Sequence, residues 1–285
     1  MRFSVIVPAY NAAKTLPALL ASLSLQTFKD FELILVDDCS RDGTARIAHS
    51  YPCKVLRMPE NGGPARCRNE GARSALGEIL VFTDSDCEVA PDWLERTDQH
   101  FRTEDTDAIM GRLVLKPSTF LGDSISALGF PAGGSIGFEK IWRVDENGLT
   151  DSLSSCNCAV RQSLFWTVGG FDETFPYAGG EDSLFAYHLK KAGSRIRFCP
   201  DVVVVHGARD SLRSFLRWQF RRGQSSYIFS TKVRDKGNYM ALRLWSTANI
   251  LKSSCADRKF PLILLLLGLS VLVQMMGFLI QRKET

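Results

Sequence analysis

The chain is predicted to fold as an α/β domain, a mostly parallel sheet flanked by helices, followed by a carboxyl-terminal transmembrane helix. Short apolar runs alternate with helical periodicity through the first eighty residues, and most of these runs end in a polar cluster. A stretch without charge from Phe260 to Ile280 predicts the last helix.

Taken in order, Ser4 to Val7 is the first strand, and Leu16, Leu19, Leu20 and Leu23 mark one helix face at i, i+3, i+4 and i+7. Phe31 to Val36 is the second strand, Asp42-Gly43-Thr44 opens a helix, and Lys54 to Arg57 is the third strand. Pro64 to Leu76 is a helix and Glu78 to Thr83 the fourth strand. Strands that alternate with crossover helices lie parallel, so the clusters Pro8-Ala9-Tyr10-Asn11, Asp37-Asp38-Cys39-Ser40 and Asp84-Ser85-Asp86 converge on one sheet edge. Open α/β sheets place their ligands at that edge. Asp84 and Asp86 lie on one side of an extended segment, where they can share a hard divalent cation that also holds a diphosphate.

Composition suits one globular domain with an appendage: 285 residues, 45% hydrophobic, 23% charged, formal net charge +4. That charge is too mild to argue for nucleic acid. It is uneven, however: from Arg209 to Lys259 basic residues, Arg234 and Lys236 among them, face only Asp210, Asp235 and Asp257. The segment is either phosphate- or membrane-facing or a solvated helix face. The eight cysteines show no CxxC pair and no zinc-like spacing, as in small buried residues of a reducing compartment; Cys156-Asn157-Cys158 is assigned to packing.

Met1-Arg2 runs straight into a strand, so no signal peptide is expected. Residues 260–280 form a helix of about 32 Å, enough for a bilayer core, with Arg258-Lys259 and Arg282-Lys283 as flanking anchors. The alternative is a buried core helix. The heavier basic cluster on the amino-terminal side is expected to keep the globular part in the cytoplasm, at the inner or plasma membrane, as a single-pass protein. Tyr239 to Trp245 is expected along the interface.

Val7-Pro8-Ala9-Tyr10-Asn11, Val36-Asp37-Asp38-Cys39-Ser40-Arg41-Asp42-Gly43-Thr44, Asn61-Gly62-Gly63-Pro64-Ala65-Arg66-Cys67-Arg68-Asn69-Glu70-Gly71 and Thr83-Asp84-Ser85-Asp86 together resemble the donor half of a family 2 glycosyltransferase of the GT-A fold. The resemblance runs from Phe3 to about Arg222. It implies a donor half at 1–115 and an acceptor and catalytic half at 116–237; charge and hydropathy add a basic segment at 238–259 and the membrane helix at 260–280. It further implies that Pro8, Tyr10, Asn11 and Asp38 hold the nucleotide, Asp38 taking the uracil imide proton while Asp37 is structural. Arg68 lies beneath the nucleotide, Asp84 faces the ribose and donor sugar, and Asp86 takes the metal, manganese or magnesium.

Val168-Gly169-Gly170-Phe171-Asp172-Glu173 and Gly179-Gly180-Glu181-Asp182 resemble the acceptor-side segments of the family. They make Asp182 the base that takes the acceptor hydroxyl proton and set Glu181 beside the acceptor; alone, Asp182 reads as a helix-start acid stabilised by the macrodipole, and the Gly-Gly-Glu-Asp context reverses that reading. His206 after the Val202 to Val205 strand is either a hydrogen-bonded core residue or, by the resemblance, a ligand of the metal or diphosphate. Gln219-Phe220-Arg221-Arg222-Gly223 echoes the segment of processive members with Gly223 in place of Trp, leaving Arg222 for the leaving diphosphate and arguing against processive synthesis. Trp218 is assigned to packing. The glycine-rich stretch from Ile125 to Phe138 is either a mobile acceptor loop near the membrane or a packed connector.

The expected activity is inverting transfer from a nucleotide-diphosphate sugar, a UDP-sugar by the Asp38 likeness, to a saccharide or lipid-linked acceptor at a membrane. The rival classes are a non-catalytic nucleotide-sugar binding protein and a nucleotidyltransferase, although the first strand lacks the glycine- and arginine-rich phosphate loop of the latter.

Overall fold

The computed structural model describes residues 1–102, 106–233 and 236–284, with backbone alone at 236–239. Arg234 and Asp235 of the basic segment therefore lie outside the described residues, as do the side chains of Lys236 and Tyr239.

The first half winds as expected: β1 (Phe3–Ala9), α1 (Leu16–Ser24), β2 (Phe31–Asp37), α2 (Thr44–Ala48), β3 (Lys54–Arg57), α3 (Pro64–Arg73) and β4 (Ile79–Thr83). β1 and β4 are buried along their whole length, as near-continuous apolar strands covered on both faces must be. The predicted stripe of α1, Leu16, Leu19, Leu20 and Leu23, is buried. α3 stops short of Leu76, because Ser74 folds back onto the Glu70 and Gly71 carbonyls and turns the chain into β4.

The second half comprises β5 (Cys87–Val89), α4 (Trp93–Phe101), β6 (Ala108–Leu115), α5 (Phe120–Ser126), α6 (Phe138–Ile141), β7 (Leu149–Thr150), β8 (Asn157–Arg161), α7 (Gln162–Thr167), α8 (Glu181–Lys191) and β9 (Ile196–His206). Three helices close the chain: α9 (Leu212–Lys232), α10 (Lys236–Ser254) and α11 (Phe260–Glu284).

All the strands join one sheet in the order β3-β2-β1-β4-β8-β6-β9-β5, with β7 on β9. β1, β2, β3, β4, β6 and β9 run one way; β8 is antiparallel to β4 and β6, and β5 and β7 are antiparallel to β9. The strand order reverses between β1 and β4, so the carboxyl ends of these two strands flank the switch-point crevice. The main core lies on the sheet, where Phe82, Phe165, Phe171 and Phe185 pack with ring centroids 4.7 to 5.6 Å apart.

Residues 125–138 form a packed connector. They begin in the last turn of α5 and bury Ile125, Ala127, Leu128, Ala132 and Phe138.

α11 is, among the described residues, the one helix long and apolar enough to cross a membrane. It does not stand clear of the fold. α9 and α11 run side by side in the same direction, with Gln219 donating to Ser270 (2.9 Å), Gln274 donating to Gln219 (2.8 Å) and Tyr227 edge-on to Phe278. The backbones meet at two glycines: a Cβ on Gly223 would sit 2.0 Å from the Gln274 carbonyl, and one on Gly277 would sit 2.1 Å from that of Phe220. Close approach of α11 is thus the structural reason for glycine at 223. The opposite face of α11 exposes Leu265, Val271, Leu272, Met275, Met276 and Leu279.

Candidate active site

At the carboxyl end of β1, Pro8 is buried in register with Val36, and Tyr10 is 51% exposed. Asn11 takes a left-handed turn (φ 49°). Its Oδ1 accepts from the Arg41 amide (2.9 Å), and its own amide donates to Ser40 Oγ (2.9 Å), which locks the β1 and β2 ends together. Asp38 is buried and organises the loop ahead of α3: Oδ1 accepts from Gly62 N–H (2.8 Å), and Oδ2 accepts from Gly63 N–H (2.9 Å) and Asn61 Nδ2 (2.9 Å). Asp37 accepts from the Ser40 amide and stays in the core, the structural position expected of it.

Arg68 comes up from α3 at 1% exposure and bridges the two halves of the domain. Its Nη2 donates to Asp84 (2.7 Å) and its Nη1 to Glu181 (3.0 Å), while Phe171 lies 5.5 Å from the guanidinium. Burial works against the cation, and the two carboxylates outweigh it, so its pKa lies above the usual arginine value. Glu181 is equally buried; its second oxygen accepts from the Gly179 (2.7 Å) and Gly180 (3.0 Å) amides and so shapes the entry to α8. The Gly169-Gly170-Phe171-Asp172-Glu173 segment is the clamp around this bridge: Asn69 of α3 donates to the Phe171 carbonyl (2.7 Å) and Glu173 (2.8 Å), and accepts from the Phe171 amide (2.9 Å). Gly170 has φ 68°, and a Cβ there would press on Asn69 Oδ1 at 2.9 Å.

Asp182 follows in the first turn of α8. Burial pushes its carboxyl up to about 7, and the neighbouring Glu181 adds to the shift; Arg68 and Arg222 oppose it. A carboxyl poised near neutrality in a cavity suits proton transfer. Arg68, Asp84, Glu181, Asp182, His206 and Arg222 all line this one cavity. Arg222 is buried, with its guanidinium 3.6 Å from the Phe130 ring centroid and 5.0 Å from that of Trp218.

Asp86 borders the cavity through His206, whose Nε2 lies 3.3 Å from Asp86 Oδ1. His206 Nδ1 is 2.7 Å from the Gly207 carbonyl, which can only accept, so Nδ1 carries the proton and Nε2 is the nitrogen turned to Asp86. This is the arrangement that orients an imidazole ligand. Ligand atoms of Asp86, Cys87 and His206 lie within 4.8 Å of one another. Burial keeps Cys87 a thiol, leaving Asp86 and His206 as one oxygen and one nitrogen donor that could hold a divalent cation.

Pro8, Tyr10, Asn11 and Asp38 sit at the neighbouring strand ends and are absent from the cavity wall. The cavity also holds residues that sequence reasoning missed. Arg209 stacks over Trp218 at 4.9 Å, and Phe130 supports Arg222. Trp218, expected to be packing, lines the wall as well. Arg209 follows His206 by three residues, a spacing that places it at the same sheet edge once the end of β9 is known.

Comparison with known proteins agrees with this geometry. A model described as Glycosyl transferase family 2 matches residues 4–169. The glycosyltransferase AglE of Haloferax volcanii is 28% identical over 254 residues, which cover 85% of this chain and 79% of AglE. Among solved structures, the mannosyltransferase PcManGT from Pyrobaculum calidifontis, in complex with GDP-Man and Mn2+, shares the fold at TM-score 0.60 and 23% identity, covering 99% of this chain and 84% of that one. S. aureus TarS 1-349 in complex with UDP-GlcNAc does so at TM-score 0.57 and 19% identity, covering 100% and 93%. The sheet is the GT-A arrangement that the motifs imply, and the chain belongs to glycosyl transferase family 2.

Proposed function

We propose that this glycosyltransferase moves a sugar from a UDP-sugar to a hydroxyl of a saccharide or lipid-linked acceptor, with inversion, in a single displacement. The observation that carries the reading is the convergence of Asp182, Arg222, Asp84 and His206 on one cavity beside the switch-point edge. The nucleotide lies over Tyr10, with Pro8 and Asn11 shaping the pocket, and the imide N–H of its base reaches Asp38 Oδ1, which also accepts from the Gly62 amide. PcManGT is described with GDP-Man and TarS with UDP-GlcNAc, so a nucleotide sugar agrees with both; uridine rests on Asp38.

Asp182 takes the proton as the acceptor oxygen bonds to the anomeric carbon. The bond from that carbon to the diphosphate breaks at the same time, and UDP departs with the electron pair. Arg222 and Arg209 neutralise the charge that develops on it. Asp86 and His206 would hold the divalent cation, manganese or magnesium, which supplies Lewis-acid charge to the diphosphate. Arg68 and Glu181 fix Asp84 and the start of α8 around the reacting centre. Membrane attachment is through α11, with the catalytic domain on the cytoplasmic side, where Arg258 and Lys259 precede the apolar run.

Manganese-dependent UDP binding by detergent-solubilised full chain, measured by calorimetry, tests the donor side. Asp86→Ala and His206→Ala are each expected to weaken it by tenfold or more, on the order of the loss seen when a metal's coordination is disturbed. Equal UDP affinity in manganese and in EDTA would remove the metal from the scheme.

A further inference from the structure

A second cavity, of about 150 Å³, lies between α10, α11 and the connector around Phe130. Its wall is mostly apolar and hydroxylated, with Leu128, Ile141, Ile250 and Leu267 beside Ser246 and Thr247. Arg243 is the one charged residue of its lining among those described. Phe130 belongs to the walls of both cavities. The Arg243 guanidinium lies 5.9 Å from its ring centroid and that of Arg222 3.6 Å, so a cationic path leads from the second cavity past one aromatic ring into the first. On the outer side, Val271 lines the second cavity while being 60% exposed on the apolar face of α11. The cavity therefore joins the surface that α11 offers to lipid to the wall that carries Arg222.

We infer that the second cavity seats the phosphate-proximal end of a polyprenyl phosphate ester, which makes the acceptor a lipid phosphate carrying its reactive hydroxyl on the head beyond the phosphate. Charge and shape select this occupant. A phosphate complements Arg243 and is not repelled by any lining acid. An apolar chain suits the walls, and a volume far below that of a cavity enclosing a whole ligand leaves the rest of the chain to pass out by Val271 into lipid. The head then extends past Phe130 towards Asp182. This assignment rests on the transferase reading above, since it takes the Asp182 cavity as the place of reaction.

The test is binding of farnesyl phosphate, farnesol and inorganic phosphate to the full chain in dodecyl maltoside, followed by microscale thermophoresis, with manganese-dependent UDP binding measured on the same samples. Farnesyl phosphate is expected to bind at least tenfold more tightly than farnesol or inorganic phosphate. Arg243→Gln should abolish the advantage over farnesol. Thr247→Phe, which fills the cavity, should weaken farnesyl phosphate at least tenfold, and both variants should keep UDP affinity within twofold, which also reports that they are folded. Equal binding of farnesol and farnesyl phosphate, or binding indifferent to both substitutions, overturns the assignment. Loss of UDP binding in the wild type would instead overturn the donor reading, so the two failures are distinguishable.

Discussion

Asp182→Asn is expected to lower transfer by about 10²- to 10⁴-fold, the usual contribution of a positioned general base, while UDP binding stays intact. Asparagine keeps the size of the side chain and, through its carbonyl, can still accept from the Ser183 amide that Asp182 accepts from (2.8 Å), so α8 should start where it does now. What disappears is the proton acceptor. The pH profile carries the same information. Burial and Glu181 hold the Asp182 carboxyl up to about 7, so as the proposed base it would be protonated and inactive below that value and competent above it. Turnover should therefore rise about tenfold per pH unit below 7 and level off above, as expected for one essential group. The sign for stability is opposite: a carboxyl that titrates near 4 in the unfolded chain and near 7 in the fold takes up a proton on folding. Its favourable contribution is present at low pH and is lost as pH rises through 7. The Asn variant should thus be no less stable than the parent at pH 8 by thermal denaturation. A variant with near-parental turnover, or a profile with no inflection near 7 in the parent, would take Asp182 out of the role.

Arg68→Met is expected to cost about 3–5 kcal/mol of stability, the penalty for removing one partner of a buried ion pair. Arg68 and Glu181 are each 1% exposed, and in the variant Glu181 would keep only the Gly179 and Gly180 amides for its charge. For a domain of this size the loss corresponds to a fall in Tm on the order of 10 °C. Adding Glu181→Gln should recover part of it, because the stranded charge goes as well. Asp84 would also lose its 2.7 Å partner, so residual folded protein should be a poor transferase. A Tm within about 2 °C of the parent would show that the Arg68 bridge is not what holds the two halves together.

Much of the fold was legible because local signals and tertiary demands agree in the first half. β1 and β4 are buried parallel strands, which need continuous apolar runs, and α1 between β1 and β2 carries a clean stripe. The second half is harder to read. β5, β7 and β8 are short antiparallel insertions whose partners are distant in sequence, so nothing nearby in the chain announces them. The acids of the site could be located from strand ends and a helix start, but their pairing could not. That Arg68 would grip both Asp84 and Glu181 depends on α3 passing beneath two segments that lie far apart in the chain. Arg209 and Phe130 escaped for the same reason: each acts through a ring or cation that only the folded chain brings near. The charge-free run at 260–280 announced an apolar helix. Its attachment to α9 was hidden in two glycines and a pair of glutamines, residues that by themselves signal little.

The most direct measurement is release of nucleoside diphosphate from a panel of UDP- and GDP-sugars by the solubilised full chain, with a membrane lipid extract supplying acceptor, in manganese, in EDTA and in Asp86→Ala. Metal-dependent release from a UDP-sugar, lost in EDTA and in the variant, is the predicted result. Release that survives EDTA unchanged, or no release from any donor in the presence of the lipid extract, would contradict metal-assisted sugar transfer by this chain.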